Sequence, residues 1–117
     1  MVTLQHFEPA AEIALGQALP KASSIEGNQH EAEAVLWTSP DGRTEIGVWE
    51  CSPGRFHSTR DGFSETCYIL SGRLTLTESG RSPVFINPGE MIVLPTGWQG
   101  EWWLHDTVRK IYVVTRD

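Results

Sequence analysis

Apolar and polar residues alternate along most of the chain after residue 33. The clearest case is RLTLTE (73–78), where Leu74 and Leu76 share one face, because successive side chains of a strand point to opposite sides. Comparable stretches are AVLWT, TEIGVWEC, RFHST, ETCYIL, VFI, MIVL, a stretch ending at Trp102, and VRKIYVV. Turn signals separate them, among them Pro-Asp-Gly at 40–42 and Asn-Pro-Gly at 87–89. Many short strands at this spacing predict an all-β sandwich or barrel.

The first third of the chain lacks this periodicity. AAEIALGQAL (10–19) has the composition of two helical turns, but Gly16 interrupts it and Pro20 ends it. We expect residues 1–33 to form an extended N-terminal arm that packs on the barrel or on a partner subunit. Residues 34–117 are expected to form the barrel.

Composition narrows the class of protein. A length of 117 residues suits one domain with a core of its own, and the net charge of −6 argues against non-specific nucleic-acid binding. No apolar run approaches the length of a membrane span, and the N-terminus does not have the pattern of a secretory signal. We therefore expect a cytoplasmic protein whose two cysteines, Cys51 and Cys67, are reduced thiols. The five tryptophans indicate either a lined pocket or a tightly packed core.

Two spaced motifs carry a family resemblance. Glu65 precedes Gly72 by seven positions, and Gly89 is followed by Pro95 and then Gly97. This spacing resembles the motif pair of the cupins, most closely the small single-domain cupins related to the ureidoglycine aminohydrolase cupin domain, over about residues 34–115. The resemblance implies a cupin-type double-stranded β-helix, a jelly-roll barrel with a pocket in its mouth. It also implies a homodimer in which the N-terminal arm adds strands to the partner's sheet.

The chain departs from this family at the metal ligands. In metal-binding cupins a His-x-His pair precedes the glutamate and a third histidine follows Pro-x-Gly. The matching positions here hold Ser58 and Arg60, or Thr59 and Asp61, and then Gly100. If Arg60 points inward, its charge opposes a divalent ion. If Asp61 points inward beside Glu65, the pair suits a weakly bound hard cation. We favour the first register and expect no metal cofactor.

Glu65 is the central candidate residue. If its strand follows the cupin pattern, Glu65, Cys67 and Ile69 point into the barrel. A buried carboxylate needs a partner, and Arg60 is the best placed to provide one. The pair is either a structural clasp or an anchor for substrate.

Five further residues are candidates for a ligand site, and Cys67, on the inward face of the same strand as Glu65, is one of them. Phe56 shares the inward row of Arg60, and Trp102 is expected to form a pocket wall, although core packing explains it as well. Lys110 and Tyr112 share a face of the last strand, where related enzymes use a lysine and a tyrosine to hold substrate. The alternative is a solvated lysine beside a packed tyrosine.

Three functions remain open. The first is a metal-independent cupin that binds a small polar metabolite, with charge from Arg60 or Lys110 and hydrogen bonds accepted by Glu65. The second is a metal-assisted hydrolase or isomerase acting on a ureido or amino compound through Glu65 and Asp61. The third is a structural or regulatory dimer whose barrel is filled by side chains.

Overall fold

Two antiparallel β-sheets pack face to face in the computed structural model, which describes residues 2–117. The strands are β1 (Leu19–Pro20), β2 (Ser24–Glu26), β3 (His30–Thr38), β4 (Thr44–Cys51), β5 (Gly54–Thr59), β6 (Phe63–Ser71), β7 (Leu74–Glu78), β8 (Val84–Ile86), β9 (Met91–Leu94), β10 (Gln99–Leu104) and β11 (Val108–Arg116). One sheet has the order β1-β3-β4-β11-β6-β9 and the other the order β2-β5-β10-β7-β8. This is the jelly-roll architecture that the alternation and the motif spacing predicted.

The strand predictions for residues 34–117 agree with these boundaries to within two or three residues at most ends. TEIGVWEC coincides with β4, and VFI and MIVL coincide with β8 and β9. The main difference is β3, which begins at His30 and so takes residues 30–33 from the predicted arm into the sheet.

Residues 10–19 do not form the two helical turns that their composition alone would allow. Only a single 3-10 turn forms, at Ala10–Glu12. The Gly16 amide instead donates to the Glu33 carbonyl at 3.0 Å, so this segment runs extended beside β3. In residues 2–117 no helix is long and apolar enough to cross a membrane.

The core lies between the sheets and is rich in aromatic rings. Phe56 and Trp102, on neighbouring strands β5 and β10, stack with ring centroids 5.6 Å apart. Trp49, on the facing sheet, meets both rings edge to face at 6.2 Å. Such edge-to-face pairs add about 0.5–1.5 kcal/mol beyond the area they bury. These three rings form apolar walls of the candidate site.

The segment after β1 links the two sheets. Because β1 pairs with β3 and β2 pairs with β5, residues 21–23 cross from one sheet to the other. Lys21 lies at this crossing: its Nζ is 3.0 Å from a Glu31 oxygen and 4.2 Å from the Phe56 ring centroid. The crossing therefore forms one wall of the space between the sheets.

Candidate functional site

A cavity of about 250 Å³ lies between the two sheets. Six of the seven predicted ligand-site residues line it: Phe56, Arg60, Glu65, Trp102, Lys110 and Tyr112. The seventh, Cys67, is buried directly behind Glu65 and does not line the cavity. The other lining residues are Lys21, Glu33, Glu45, Trp49, Ser58, Phe63 and Val114. The barrel is therefore not filled by side chains, which counts against the third hypothesis.

A three-residue ion cluster forms the floor of the cavity. One Glu65 oxygen, Oε1, lies 2.8 Å from Arg60 Nη2, and the other, Oε2, lies 2.8 Å from Lys110 Nζ. All three side chains are at least nine-tenths buried. The Cys67 thiol donates to Glu65 Oε2 at 3.2 Å. The predicted clasp between Arg60 and Glu65 is present, and Lys110 completes it.

The cluster sets the ionisation of its members. Burial alone would raise the pKa of Glu65, but the Lys110 and Arg60 charges, with hydrogen bonds from Lys110 and Cys67, hold that pKa below its usual range. Burial raises the pKa of Cys67 to about 12. Cys67 is therefore a thiol at neutral pH and not a nucleophile. Both cysteines are buried free thiols, as the sequence predicted.

Glu65 has little capacity left for a ligand. Its two oxygens offer about four lone-pair positions, and Arg60, Lys110 and Cys67 occupy three of them. Glu65, which is expected to accept hydrogen bonds from a ligand, keeps one such position for this purpose. It holds two cations in place, and these cations face the cavity.

The inward register of Arg60 follows from the alternation of β5. Phe56, Ser58 and Arg60 all line the cavity, whereas Asp61 is exposed in the turn that follows. Backbone bonds fix this register, since the Arg60 amide donates to the Trp98 carbonyl at 2.8 Å. The alternative register, with Asp61 beside Glu65, is wrong.

Lys110 is not solvated. It shares the inward face of β11 with Tyr112, and its Nζ lies 4.6 Å from the ring centroids of both Trp49 and Trp102. Buried cations over aromatic faces gain up to about 2 kcal/mol. The sequence placed Lys110 on the correct face, but the alternative of a solvated side chain is wrong.

Three buried donors around the cavity have no hydrogen-bond partner within residues 2–117. They are Ser58 Oγ, Arg60 Nε and Trp102 Nε1. Buried polar groups are nearly always satisfied, because an unpaired one costs about 1–3 kcal/mol. All three belong to residues that line the same cavity. The cavity floor can therefore accept a group that carries several lone pairs.

A second polar group lies where the cavity opens. The Tyr112 hydroxyl is 2.9 Å from Glu45 Oε2 and 3.3 Å from Glu33 Oε2. Burial and the hydrogen bond to Glu45 raise the pKa of Tyr112 well above its usual value, so the hydroxyl stays protonated and donates. Gly47 makes this position possible, because a Cβ there would collide with the Tyr112 hydroxyl.

The space that the third metal-binding histidine would occupy in a metal-binding cupin is filled here by another side chain. Gly100 stands at the position of that histidine, and a Cβ on it would lie 2.6 Å from the Trp98 ring. Trp98 is anchored there by its indole nitrogen, which donates to Glu78 at 2.8 Å. The Trp98 ring occupies the space that the missing side chain leaves.

Sequence reasoning missed Lys21, Glu33 and Glu45. Glu45 carried a signal, because it alternates in phase with Gly47 and Trp49 in β4. The other face of β4, Ile46 and Val48, is equally apolar, so the pattern did not say which face is inward. Lys21 lies in an aperiodic segment and carried no signal.

Comparison with known proteins places this chain within the cupin class. Residues 38–112 match the model of the EutQ-like cupin domain. The chain belongs to this EutQ-like cupin family. No curated protein matches the sequence.

Solved structures agree with the fold. The EutQ protein of Clostridium difficile is 28% identical, with 75% of this chain and 69% of that chain covered and a TM-score of 0.65. A Pseudomonas syringae protein of unknown function is 21% identical, with 92% and 46% covered and a TM-score of 0.77. A Thermotoga maritima protein described as a predicted oxalate decarboxylase is 14% identical, with 96% and 100% covered and a TM-score of 0.72. The last two show the fold alone, and this chain spans under half of the Pseudomonas protein.

The residues present do not fit the metal centre that many cupins carry. The one carboxylate at the expected place, Glu65, is neutralised by two cations at 2.8 Å. Arg60 cannot lose its charge, and a divalent ion beside it would be repelled in a low-dielectric site. Residues 2–117 contain no group of three or more His, Cys, Asp or Glu side chains placed to hold a metal.

Proposed function

We propose that this protein binds a small polar metabolite in the barrel cavity without the help of a transition metal. The observation that carries the proposal is the set of three unpartnered donors, Ser58 Oγ, Arg60 Nε and Trp102 Nε1, around one cavity. Arg60, Lys110 and Glu65 together carry a net charge of +1, which favours an anionic group on the ligand. Phe56 and Trp102 supply flat apolar walls of the kind that small-molecule sites use.

A thermal-shift screen of small metabolites on chelator-treated protein tests this function. A ligand present at about 100 times its dissociation constant adds about 2.7 kcal/mol to the free energy of unfolding. We expect anionic or amide-bearing compounds to raise the melting temperature by several degrees, with or without chelator. A broad screen in which no compound shifts the melting temperature would contradict the proposal.

Elemental analysis tests the metal-independent part separately. Protein purified without chelator should carry well under one equivalent of Mn, Fe, Ni or Zn, because Arg60 and Lys110 already neutralise Glu65. Near-stoichiometric metal that Glu65→Ala abolishes would overturn this and would favour the hydrolase hypothesis.

A further inference from the structure

The ionisable residues of the cavity divide into two groups of opposite net charge. Arg60, Lys110 and Glu65 on the buried floor sum to +1. The group at the cavity opening consists of Glu33, Glu45 and Arg116, whose guanidinium lies 3.1 Å from Glu45 and is partly exposed, and it sums to −1. Lys21 is neutralised by Glu31 at 3.0 Å. The cavity is therefore positive at its floor and negative at its opening.

Hydrogen-bonding capacity divides in the same way. The floor has unpartnered donors on Ser58, Arg60 and Trp102. The opening has unused acceptors, because the single proton of the Tyr112 hydroxyl can serve only one of two carboxylates. Glu45 is the closer of the two and also has Arg116, whereas the Glu33 side chain has only the 3.3 Å contact with Tyr112 within residues 2–117. Glu33 is thus an exposed carboxylate at the cavity opening, without a cationic partner within that range.

We propose that the ligand is a small zwitterion, an amino-carboxylate with an apolar spacer. This inference rests on the proposed function and adds the class of ligand. The carboxylate would accept hydrogen bonds from Ser58 Oγ, Arg60 Nε and Trp102 Nε1, and the ammonium would lie against Glu33 and Glu45. Phe63 and Val114 line the same cavity and face the spacer.

The cavity limits the size of this ligand. At about 30 Å³ per water molecule, 250 Å³ holds about eight waters. A chain of a few methylenes between an ammonium and a carboxylate fits this space.

The test is a titration of the full-length protein, labelled with ¹⁵N in its tryptophan indoles, followed by NMR. The probes are linear ω-amino-carboxylates with one to five methylenes, the matching alkyl carboxylates and the matching alkylamines. We expect one or more amino-carboxylates to shift the Trp102 indole signal saturably, because its N–H gains an acceptor. The signal is assigned with Trp102→Phe. The alkyl carboxylate of the same length should bind at least tenfold more weakly.

Glu33→Gln then separates the two ends of the ligand. It should lower the affinity for the amino-carboxylate at least tenfold and leave that for the alkyl carboxylate unchanged. Glu26→Gln, the same change of charge at an exposed residue of the arm, should alter neither affinity.

The outcomes distinguish this inference from the proposed function. If alkyl carboxylates or neutral amides shift Trp102 as strongly as amino-carboxylates do, the zwitterion is wrong and the binding function stands. If Glu33→Gln weakens both probe classes equally, the inference is wrong as well. If no compound here or in the thermal-shift screen binds, both proposals fail.

Discussion

One buried carboxylate, Glu65, and two cations, Arg60 and Lys110, determine the charge of the barrel interior. Isolated buried charges are strongly unfavourable, and Glu65, Arg60 and Lys110 tolerate burial only because they neutralise one another. Here an arginine and a lysine supply the positive charge that a metal ion supplies in other barrels of this class.

Glu65→Gln should destabilise the protein by about 3–5 kcal/mol, because it leaves Arg60 and Lys110 buried beside each other without a carboxylate. Urea unfolding measures the change. The double variant Glu65→Gln/Lys110→Met restores the cluster charge to +1 and should recover much of the loss. A double variant no more stable than the single one would show that the net charge of the cluster is not what matters.

The stabilisation that Glu65 gives to the folded protein should decrease as the pH falls. The pKa of Glu65 is lowered by folding, so its contribution is fully present above the unfolded value of about 4.3 and is lost as pH falls through the lower folded value. The difference in free energy of unfolding between wild type and Glu65→Gln should therefore shrink below about pH 4.3. A difference that stays constant down to pH 2 would contradict the lowered pKa.

Ser58→Ala should change stability and binding in opposite directions. Its hydroxyl is a buried donor without a partner, so its removal should leave the free protein unchanged or up to about 1 kcal/mol more stable. The same change removes a donor to the ligand and should weaken binding. Thermal unfolding with and without ligand measures both effects.

Ser52→Ala is the matched control for Ser58→Ala. Ser52 Oγ accepts the His30 amide at 2.8 Å and does not line the cavity. Its loss should cost about 1 kcal/mol and leave ligand affinity unchanged. If Ser58→Ala instead destabilises the free protein as Ser52→Ala does, its hydroxyl serves the fold and not a ligand.

At the scale of elements, the strands were predictable because each carries its own signal. Period-2 alternation marks the strands, and the glycines at 42, 62, 72, 89 and 97 all adopt the positive φ that their turns require. Together with the resemblance to the cupin motif pair, the alternation also placed Glu65 and Cys67 on the inward face and favoured an inward Arg60. The strands and several inward-facing residues of the site were therefore predictable from the sequence.

The remaining part of the site depends on contacts between distant residues. Lys110 contacts Glu65, which lies 45 positions earlier in the sequence. The residues around Lys110 give no indication that it pairs with a buried carboxylate. In β3 the register shifts between Val35 and Trp37, so alternation counted back from Trp37 assigns Glu33 to the wrong face. Bulges and long-range partners are not visible in a single sequence.

Arg109 fastens the N-terminal segment to the six-stranded sheet. Its Nη1 donates to the carbonyls of Ala10 and Ile13 at 2.9 and 3.1 Å, and its Nε donates to Glu50 at 3.2 Å. Hydrogen bonds from charged donors contribute about 1.5–3 kcal/mol each. Arg109→Met should therefore release residues 9–16 and accelerate hydrogen exchange of the Gly16 amide at least tenfold.

Arg73→Met is the control for this element. Arg73 pairs with Asp106 on the surface, where an ion pair stabilises little, so exchange at Gly16 should stay at the wild-type rate. Unchanged exchange in Arg109→Met would mean that the segment is held by the packing of Ile13, which is buried.

At the scale of the whole molecule, apolar residues remain exposed in the N-terminal segment and on edge strand β9. Val2 and Leu4 in the N-terminal segment are almost fully exposed. At the far edge of the six-stranded sheet, Met91 and Val93 of β9 are also exposed, and an apolar groove of about 590 Å³ lies between edge strands β8 and β9. Open edges with apolar side chains favour pairing with another strand.

We predict a two-fold dimer in which residues 2–8 of each chain add to the β9 edge of the partner and place Val2 and Leu4 in this groove. Strand addition would satisfy the unpaired backbone of β9 while the groove takes alternate side chains. Light scattering at micromolar concentration should give about twice the 13.1 kDa chain mass. Deletion of residues 2–8 should give the mass of one chain.

Two edge substitutions test where the arm binds. Val93→Lys places a charge on the β9 edge and should shift the dimer toward monomer, because a strand that pairs there must desolvate the ammonium. Val35→Lys places the same charge at an exposed position of β3, the strand next to the two-residue edge strand β1, and should leave the dimer intact. If Val35→Lys dissociates the dimer and Val93→Lys does not, the arm pairs with β3 instead. A monomeric wild type would refute the dimer altogether, since Val2 and Leu4 would then face water in the working protein.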